Sequence, residues 1–422
     1  METYPFWVDL VRAVAVFVYF LLFTALLIWG ERRILGRMQS RLGPNRVGPL
    51  GMMQTLVDGA KMFFKEDVTP GMVNKPIFIL APLIGVIAGF LSMAVIPLGG
   101  QVTLFGETFP LVVADLDVGI LWFLAMGSIH VYSTFLAGWA SNSPYPLLGG
   151  VRSSAQMVSY EIAQGLAVAS VFIYTGSLRV SDIIAGQDQA LFGIEGIPGW
   201  NVVPLFPAFL VFVVGMVAEA GRPPFDLAEA EGELVGGFNT EYSGMKFAMF
   251  MLAEFMAAVT MSAVVVTLFF GGPNGPTFGL GEPFTSLLPV FWFTLKVSFF
   301  VLFFITLRGA LPRVRYKQLM DIGWKVLIPV ALVWTMVTAG FVLIEEVEGG
   351  LPNGARIALA VLAGLILLFA LVGEAGGGEP APARTRGGAQ RPTDADGDPV
   401  GEPELDVGDP ADPNADRKEV TR

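Results

Sequence analysis

The chain has 422 residues, of which 54% are hydrophobic and only 15% charged, with a mean hydropathy of +0.63; this balance excludes a string of soluble domains and indicates an integral membrane protein. It has no cysteine and one histidine, His130, which excludes disulfides, thiolate-held iron–sulfur clusters, cysteine zinc sites and bis-histidine haem. The net charge of −11 is unevenly spread, since the stretch from Gly373 onward carries 12 acids against 6 bases.

Runs near 20 apolar residues, enough to cross about 30 Å of hydrocarbon, are predicted over 8–30, 77–98, 118–139, 156–176, 203–219, 246–270, 288–308, 325–345 and 356–373. The expected fold is therefore an all-α membrane protein of about nine spans covering residues 1–373. A disordered, acidic, Pro/Gly-rich tail follows over 374–422. The first run is expected to be a span and not a cleaved signal, since it lacks a basic leader and ends in "ERR". Lys and Arg within or flanking the connections number 15 on one side and 2 on the other. Bases accumulate on the cytoplasmic side, so the N-terminus faces outward. Residues 31–76, 140–155, 220–245 and 309–324 then lie inside with the tail.

Glu31 ends the first predicted span. After it, "ERRILGRMQSRLGPNRVGPLGMMQTLVDGAKMFFKED" surrounds a Gly-Pro-Asn turn with Arg32, Arg33, Arg37, Arg41 and Arg46. Helical spacing over Leu50–Phe64 predicts an interfacial amphipathic helix suited to anionic lipid; a nucleic-acid partner is not expected. His130 lies mid-span, where a hydrogen-bonded core histidine is the expected reading. Glu161 falls in the first turns of the fourth predicted span, Glu219 at the end of the fifth and Glu254 in the early turns of the sixth. With Glu31, all four lie within roughly 12 Å of the inner boundary at 1.5 Å per residue. The loop "GRPPFDLAEAEGELVGGFNTEYSG" adds Asp226, Glu229, Glu231, Glu233 and Glu241. Intramembrane acids are costly unless they face protein or water, and grouped carboxylates can hold and pass protons. The structural alternative for Glu161 and Glu254 is an ion pair with an arginine. Lys296, too deep to snorkel, is expected to pair with an acid or a polar network. No motif supplies a catalytic residue or a metal site.

The 31–67 stretch, "LLGGVRSSAQMVSYEIAQG", "AEAGRPPFDLAEAEGELVGGFNTEYSGMKFAMFMLAEF" and "RYKQLMDIGWK" together resemble the signatures of one membrane-subunit family, the H subunit of NADH-quinone oxidoreductase, which is NADH dehydrogenase subunit 1 in mitochondria. The likeness covers residues 1 to about 345. It implies a translocase subunit of respiratory complex I in the cell inner membrane. With partner subunits, such a protein forms a chamber for ubiquinone or menaquinone and couples quinone reduction to proton translocation. The chain itself would hold no cofactor; FMN and iron–sulfur clusters would belong to partners. Those partners would be the quinone-site and terminal-cluster subunits of the hydrophilic arm and small membrane-arm subunits. Carried over residue by residue, Arg32, Arg33, Arg37, Arg41, Arg46, Arg222 and Phe225 match chamber positions. Glu31, Glu161, Glu219, Asp226, Glu229, Glu231, Glu233, Glu241 and Glu254 match a proton path. Gly221 stands where this pattern commonly has Asn, and Lys317 where it has an acid. Alternative readings are the membrane anchor of a related membrane-bound hydrogenase and a freestanding proton-coupled transporter.

Overall fold

The computed structural model describes residues 5–104, 107–188, 198–226, 236–276 and 284–348. The predicted ninth span, the tail, and Glu229, Glu231 and Glu233 lie outside the described residues. What is described is helical apart from one small hairpin. It comprises α1 (Phe6–Met38), α2 (Gln54–Phe64), α3 (Lys75–Met93), α4 (Gly119–Ala140), α5 (Pro144–Thr175), α6 (Val180–Gly186), α7 (Phe206–Glu219), α8 (Gly244–Phe269), α9 (Phe284–Ala310), α10 (Tyr316–Asp321) and α11 (Ile328–Glu348). A six-residue π-helical turn, Ile322–Leu327, joins the last two into one continuous rod. Seven helical segments are long and apolar enough to cross a membrane, and α7 is a shorter apolar helix of 14 residues.

Two boundaries differ from the sequence reading for a physical reason. The stretch 140–155, expected as a loop, is mostly the first part of α5, which runs 32 residues from Pro144. Its Pro, Gly, Ser and Arg residues lower the hydropathy without breaking the helix, because Pro144 and Pro146 sit in the first turn, where no intrahelical N–H is needed. Glu161 is thus the eighteenth residue of α5, roughly 26 Å along the helix from Pro144 at 1.5 Å per residue, and not in its first turns. After α3, residues 94–98 leave the helix and lead into a hairpin, β1 (Gln101–Leu104) against β2 (Glu107–Pro110), with Val102 opposite Phe109.

Helix α8 is the central post: 67% of its membrane-length window is buried, against 22% for the rod ending in α11. Where no water drives association, helices meet through small residues. Gly138 of α4 and Gly150 of α5 face each other at such a crossing, and a methyl group at Gly138 would run into the Pro146 carbonyl. Around this post pack Phe20, Tyr160, Phe212 and Phe293, all fully buried. Phe6, Leu22, Phe299 and Met336 point outward, as residues facing lipid do.

At the end of α8, Gly271 and Gly272 adopt φ of +71° and +53°, a left-handed turn that leaves carbonyls unpaired. Lys296 of α9 answers them. Its ammonium donates to the carbonyls of Phe270, Gly272 and Asn274 at 2.8, 3.0 and 2.7 Å and lies 5.3 Å from the Trp200 ring. Of the two expected partners, an acid or a polar network, the structure shows the second: a helix terminus whose partial negative charge stabilises the ammonium.

At the opposite end, α2 is strapped to α1. Leu50, at φ +53°, is held by its carbonyl, which accepts from Trp29 Nε1 at 3.2 Å and Arg33 Nη1 at 2.6 Å. Thr55 Oγ1 donates to the Ala25 carbonyl at 3.2 Å. Asp58 accepts from Arg32 and, at 2.9 Å, from Gln54. Partial burial alone would pull the Asp58 carboxyl up, but the Gln54 amide and the Arg32 guanidinium outweigh it and hold it below the usual aspartate value. The contribution of this pairing is therefore present above the ordinary aspartate range and disappears as pH falls through the lowered folded-state value. Leu56, Phe63 and Phe64 of α2 remain exposed, as an interfacial helix requires.

Two measurements check this arrangement. Because the native chain lacks cysteine, an Asp117→Cys variant, at a side chain 88% exposed, should react with a membrane-impermeant maleimide in intact cells. Phe64→Cys should react only in inverted vesicles; the opposite pattern reverses the orientation. Amide exchange in α2 should stay slow from neutral pH down to about pH 4 and quicken below it, and Asp58→Asn should remove that acid-induced step.

Candidate functional site

The site begins with a helix end. Helix α7 closes in a Schellman arrangement: Gly221 N donates to the Ala218 carbonyl at 3.3 Å and Arg222 N to the Val217 carbonyl at 3.3 Å. Gly221 carries φ +60°, the left-handed position this motif assigns to Gly or, next best, Asn. The exchange of Asn for Gly expected from the resemblance is thus conformationally equivalent. The turn aims Arg222 into the protein. Gln156 of α5 braces it from behind, its amide donating at 2.9 Å to the carbonyls of both Ala218 and Phe225. The Phe225 ring packs 5.5 Å from that of Tyr160, whose hydroxyl donates to the Leu319 carbonyl at 2.9 Å.

Arg222 is buried at 3% exposure and joins two helices through their acids. Its Nη1 donates to Glu31 Oε1 and Oε2 at 3.1 and 3.2 Å, its Nε lies 3.3 Å from Glu254 Oε1, and its guanidinium lies 4.3 Å from the Phe255 ring. Arg308, at the end of α9, donates to Glu31 as well, and Arg313 donates to Asp226 at 2.8 Å. Residues from α1, the α7–α8 connection, α8 and α9 thereby meet in one charge network. Three of its carboxylates, Glu31, Asp226 and Glu254, have arginine partners. Arg308 and Arg313 were legible only as topology signals, because nothing local in the sequence links them to acids 277 and 87 residues away.

A second group is built differently. The Glu161 and Glu219 carboxylates converge on the side of α4 where Gly127 lacks a side chain; a Cβ there would lie 3.9 and 3.3 Å from their Oε1 atoms. Glu161 accepts from the Ser128 hydroxyl. Glu219 Oε2 is buried without a hydrogen-bond partner among the described residues. Neither is paired with an arginine among the described residues, so the ion-pair alternative holds for Glu254 and not for Glu161. Ser128 gave no signal in the sequence, where a serine in a span is unremarked.

The other expected site residues are dispersed. Arg32, Arg37, Arg41 and Arg46 are exposed at the end of α1 and in the loop beyond it, and Arg33 is partly covered; Arg41 Nε donates to Gln39 at 2.8 Å. Glu241 is half-buried ahead of α8. The expected single band of acids thus separates into an arginine-bound set and an arginine-free pair. Among the described residues no cluster of His, Asp and Glu could hold a metal ion.

Removing one partner of a buried ion pair costs about 3–5 kcal/mol, because the other charge is left uncompensated. Arg222→Leu leaves Glu31 with Arg308 but strips Glu254. It should therefore lower the thermal transition of the detergent-solubilised protein by several degrees. Adding Glu254→Gln in that background should restore most of the loss, whereas Arg32→Leu, at an exposed pair worth no more than about 1 kcal/mol, should move the transition much less than Arg222→Leu does.

The comparisons with known proteins agree with this architecture. The family model described as NADH dehydrogenase matches residues 11–339. A protein of Frankia casuarinae, named as the H subunit of NADH-quinone oxidoreductase, is 49% identical over 374 residues, covering 88% of this chain and 81% of that protein. A protein of the same name from Frankia alni is 48% identical, with the same shares covered. A multi-pass helical membrane protein matched over most of its length by both, the chain belongs to the NADH dehydrogenase family that includes the H subunit of NADH-quinone oxidoreductase.

Proposed function

We propose that the chain is the membrane subunit of a proton-translocating NADH:quinone oxidoreductase, lying in the cell inner membrane with loops 31–76 and 220–245 on the cytoplasmic side. In this reading it forms, with hydrophilic-arm subunits, the access route and chamber for quinone. It holds no redox centre, and FMN and iron–sulfur clusters sit in partners. Its task is to convert quinone reduction into proton movement through its acids. The single observation supporting this most directly is the separation of the carboxylates into two groups. Glu31, Asp226 and Glu254 are locked by arginines next to the connection that carries Phe225 and the acidic loop, so a charge change there is felt through a stiff network. Glu161 and Glu219, free of arginine, are suited to hold and release a proton.

The chemistry follows from the charge balance. Quinone reduction takes up two electrons and two protons, so the chamber must pass through states of altered charge. A guanidinium fixed between Glu31 and Glu254 transmits such a change by shifting its hydrogen bonds between them, since it cannot lose its own proton. The arginine-free pair responds by changing its protonation.

In assembled complexes, Glu161→Gln and Glu219→Gln should each reduce the protons moved per NADH oxidised by roughly tenfold or more, measured as dye quenching in inverted vesicles, while NADH oxidation by a hydrophilic electron acceptor stays intact. Normal proton yield in both variants would end this reading.

A further inference from the structure

The two carboxylate groups are not in direct contact: among the described residues no hydrogen bond links Glu219 to Glu254, and their charged neighbours differ. Glu219 has Glu161 beside it, while Glu254 lies among Arg222, Arg308, Asp226 and Glu31. Between them is a cavity of about 40 Å³ lined by His130, Thr134, Ser153, Glu219, Glu254 and Ala257, among others. Most of its wall is apolar, with Met157, Phe238 and Phe250 in it, so water is held only where His130, Thr134, Ser153, Glu219 and Glu254 present polar groups; the volume suits one or a few waters there, and the unpartnered Glu219 Oε2 supplies a buried acceptor for one of them.

His130 is the chain's only histidine, and it stands at this gap. It lies one helical turn from Gly127, the point on α4 where Glu161 and Glu219 converge, displaced toward the Arg222 end. One ring nitrogen faces the Gly85 carbonyl of α3, which fixes the ring and leaves the other nitrogen for the cavity. Gly85 itself packs against Ser133 of α4, so the ring is anchored from a second helix and does not move freely.

We propose that His130 is a proton carrier joining the two carboxylate groups, a role that rests on the coupling function proposed above. The cavity-facing nitrogen takes a proton from the carboxylic acid of Glu219 through cavity water, giving an imidazolium. The imidazolium returns that proton through a second water to the Glu254 carboxylate, and the neutral ring is regenerated. One proton crosses, no bond other than N–H and O–H changes, and the N–H facing Gly85 is untouched. The reverse direction uses the same steps. Imidazole suits this place because it can both accept and donate a proton without changing its position.

The test uses assembled complexes in inverted vesicles. His130→Gln keeps the size and polarity of the ring but cannot carry a proton; it should cut the proton-pumping rate at least tenfold and enlarge the solvent deuterium effect on it. His130→Glu, which can carry one, should recover a substantial part. Ala257→Leu fills the cavity from the α8 wall without touching His130 and should slow pumping in the same way. Full pumping in His130→Gln, or in Ala257→Leu, overturns the proposal, as does equal loss in the Gln and Glu variants with an unchanged isotope effect. If Glu219→Gln impairs pumping while His130→Gln does not, only the histidine role fails. If neither does, the coupling function fails with it.

Discussion

Arg222 is a permanent positive charge taken out of water, and the protein is arranged so that this is tolerable. A guanidinium has five donors in one plane and no means of neutralising itself, so its surroundings must supply acceptors on more than one side. Glu31 comes from the end of α1 and Glu254 from the early turns of α8, and the Schellman turn at Gly221 delivers the arginine between them. Each of these elements is fixed in rotation and height by the need to bring one side chain to one point. Gln156, bonded to two carbonyls of the same connection, shows how closely the backbone is held around it. The network's net charge is small, but its cohesion depends on every member being present.

That rigidity contrasts with the neighbouring pair. Glu161 and Glu219 approach where Gly127 leaves room; a serine hydroxyl bonds Glu161, while Glu219 has the Gln164 amide beside it and faces a small, largely apolar cavity shared with the His130 ring. Buried carboxylates held by arginine form a stiff charge network; buried acid without arginine has no fixed counter-charge to hold it ionised. The protein places both kinds within one set of packed helices, with a single ring between them.

The sequence was informative where the signal is local. Apolar runs of membrane length located the helices, the Lys and Arg asymmetry suggested their direction, and motif likeness pointed to the family that the comparisons then showed. It failed where hydropathy and helicity part company: Arg152 and the glycines of 149–150 mask the first turns of α5. It failed again where two distant residues must meet. That Arg308 answers Glu31 and that Ser128 answers Glu161 are facts of packing, with no periodicity to announce them. The spacing of the acids suggested one band, and only the three-dimensional arrangement of the arginines divides it.

The Lys296 cap ties two neighbouring spans into one unit. An ammonium some way into a hydrocarbon-facing helix cannot be left without acceptors during insertion, and the carbonyls it uses belong to the end of the preceding helix. In the folded protein α8 and α9 therefore act as a joined hairpin, the second helix carrying the charge and the end of the first supplying its solvation.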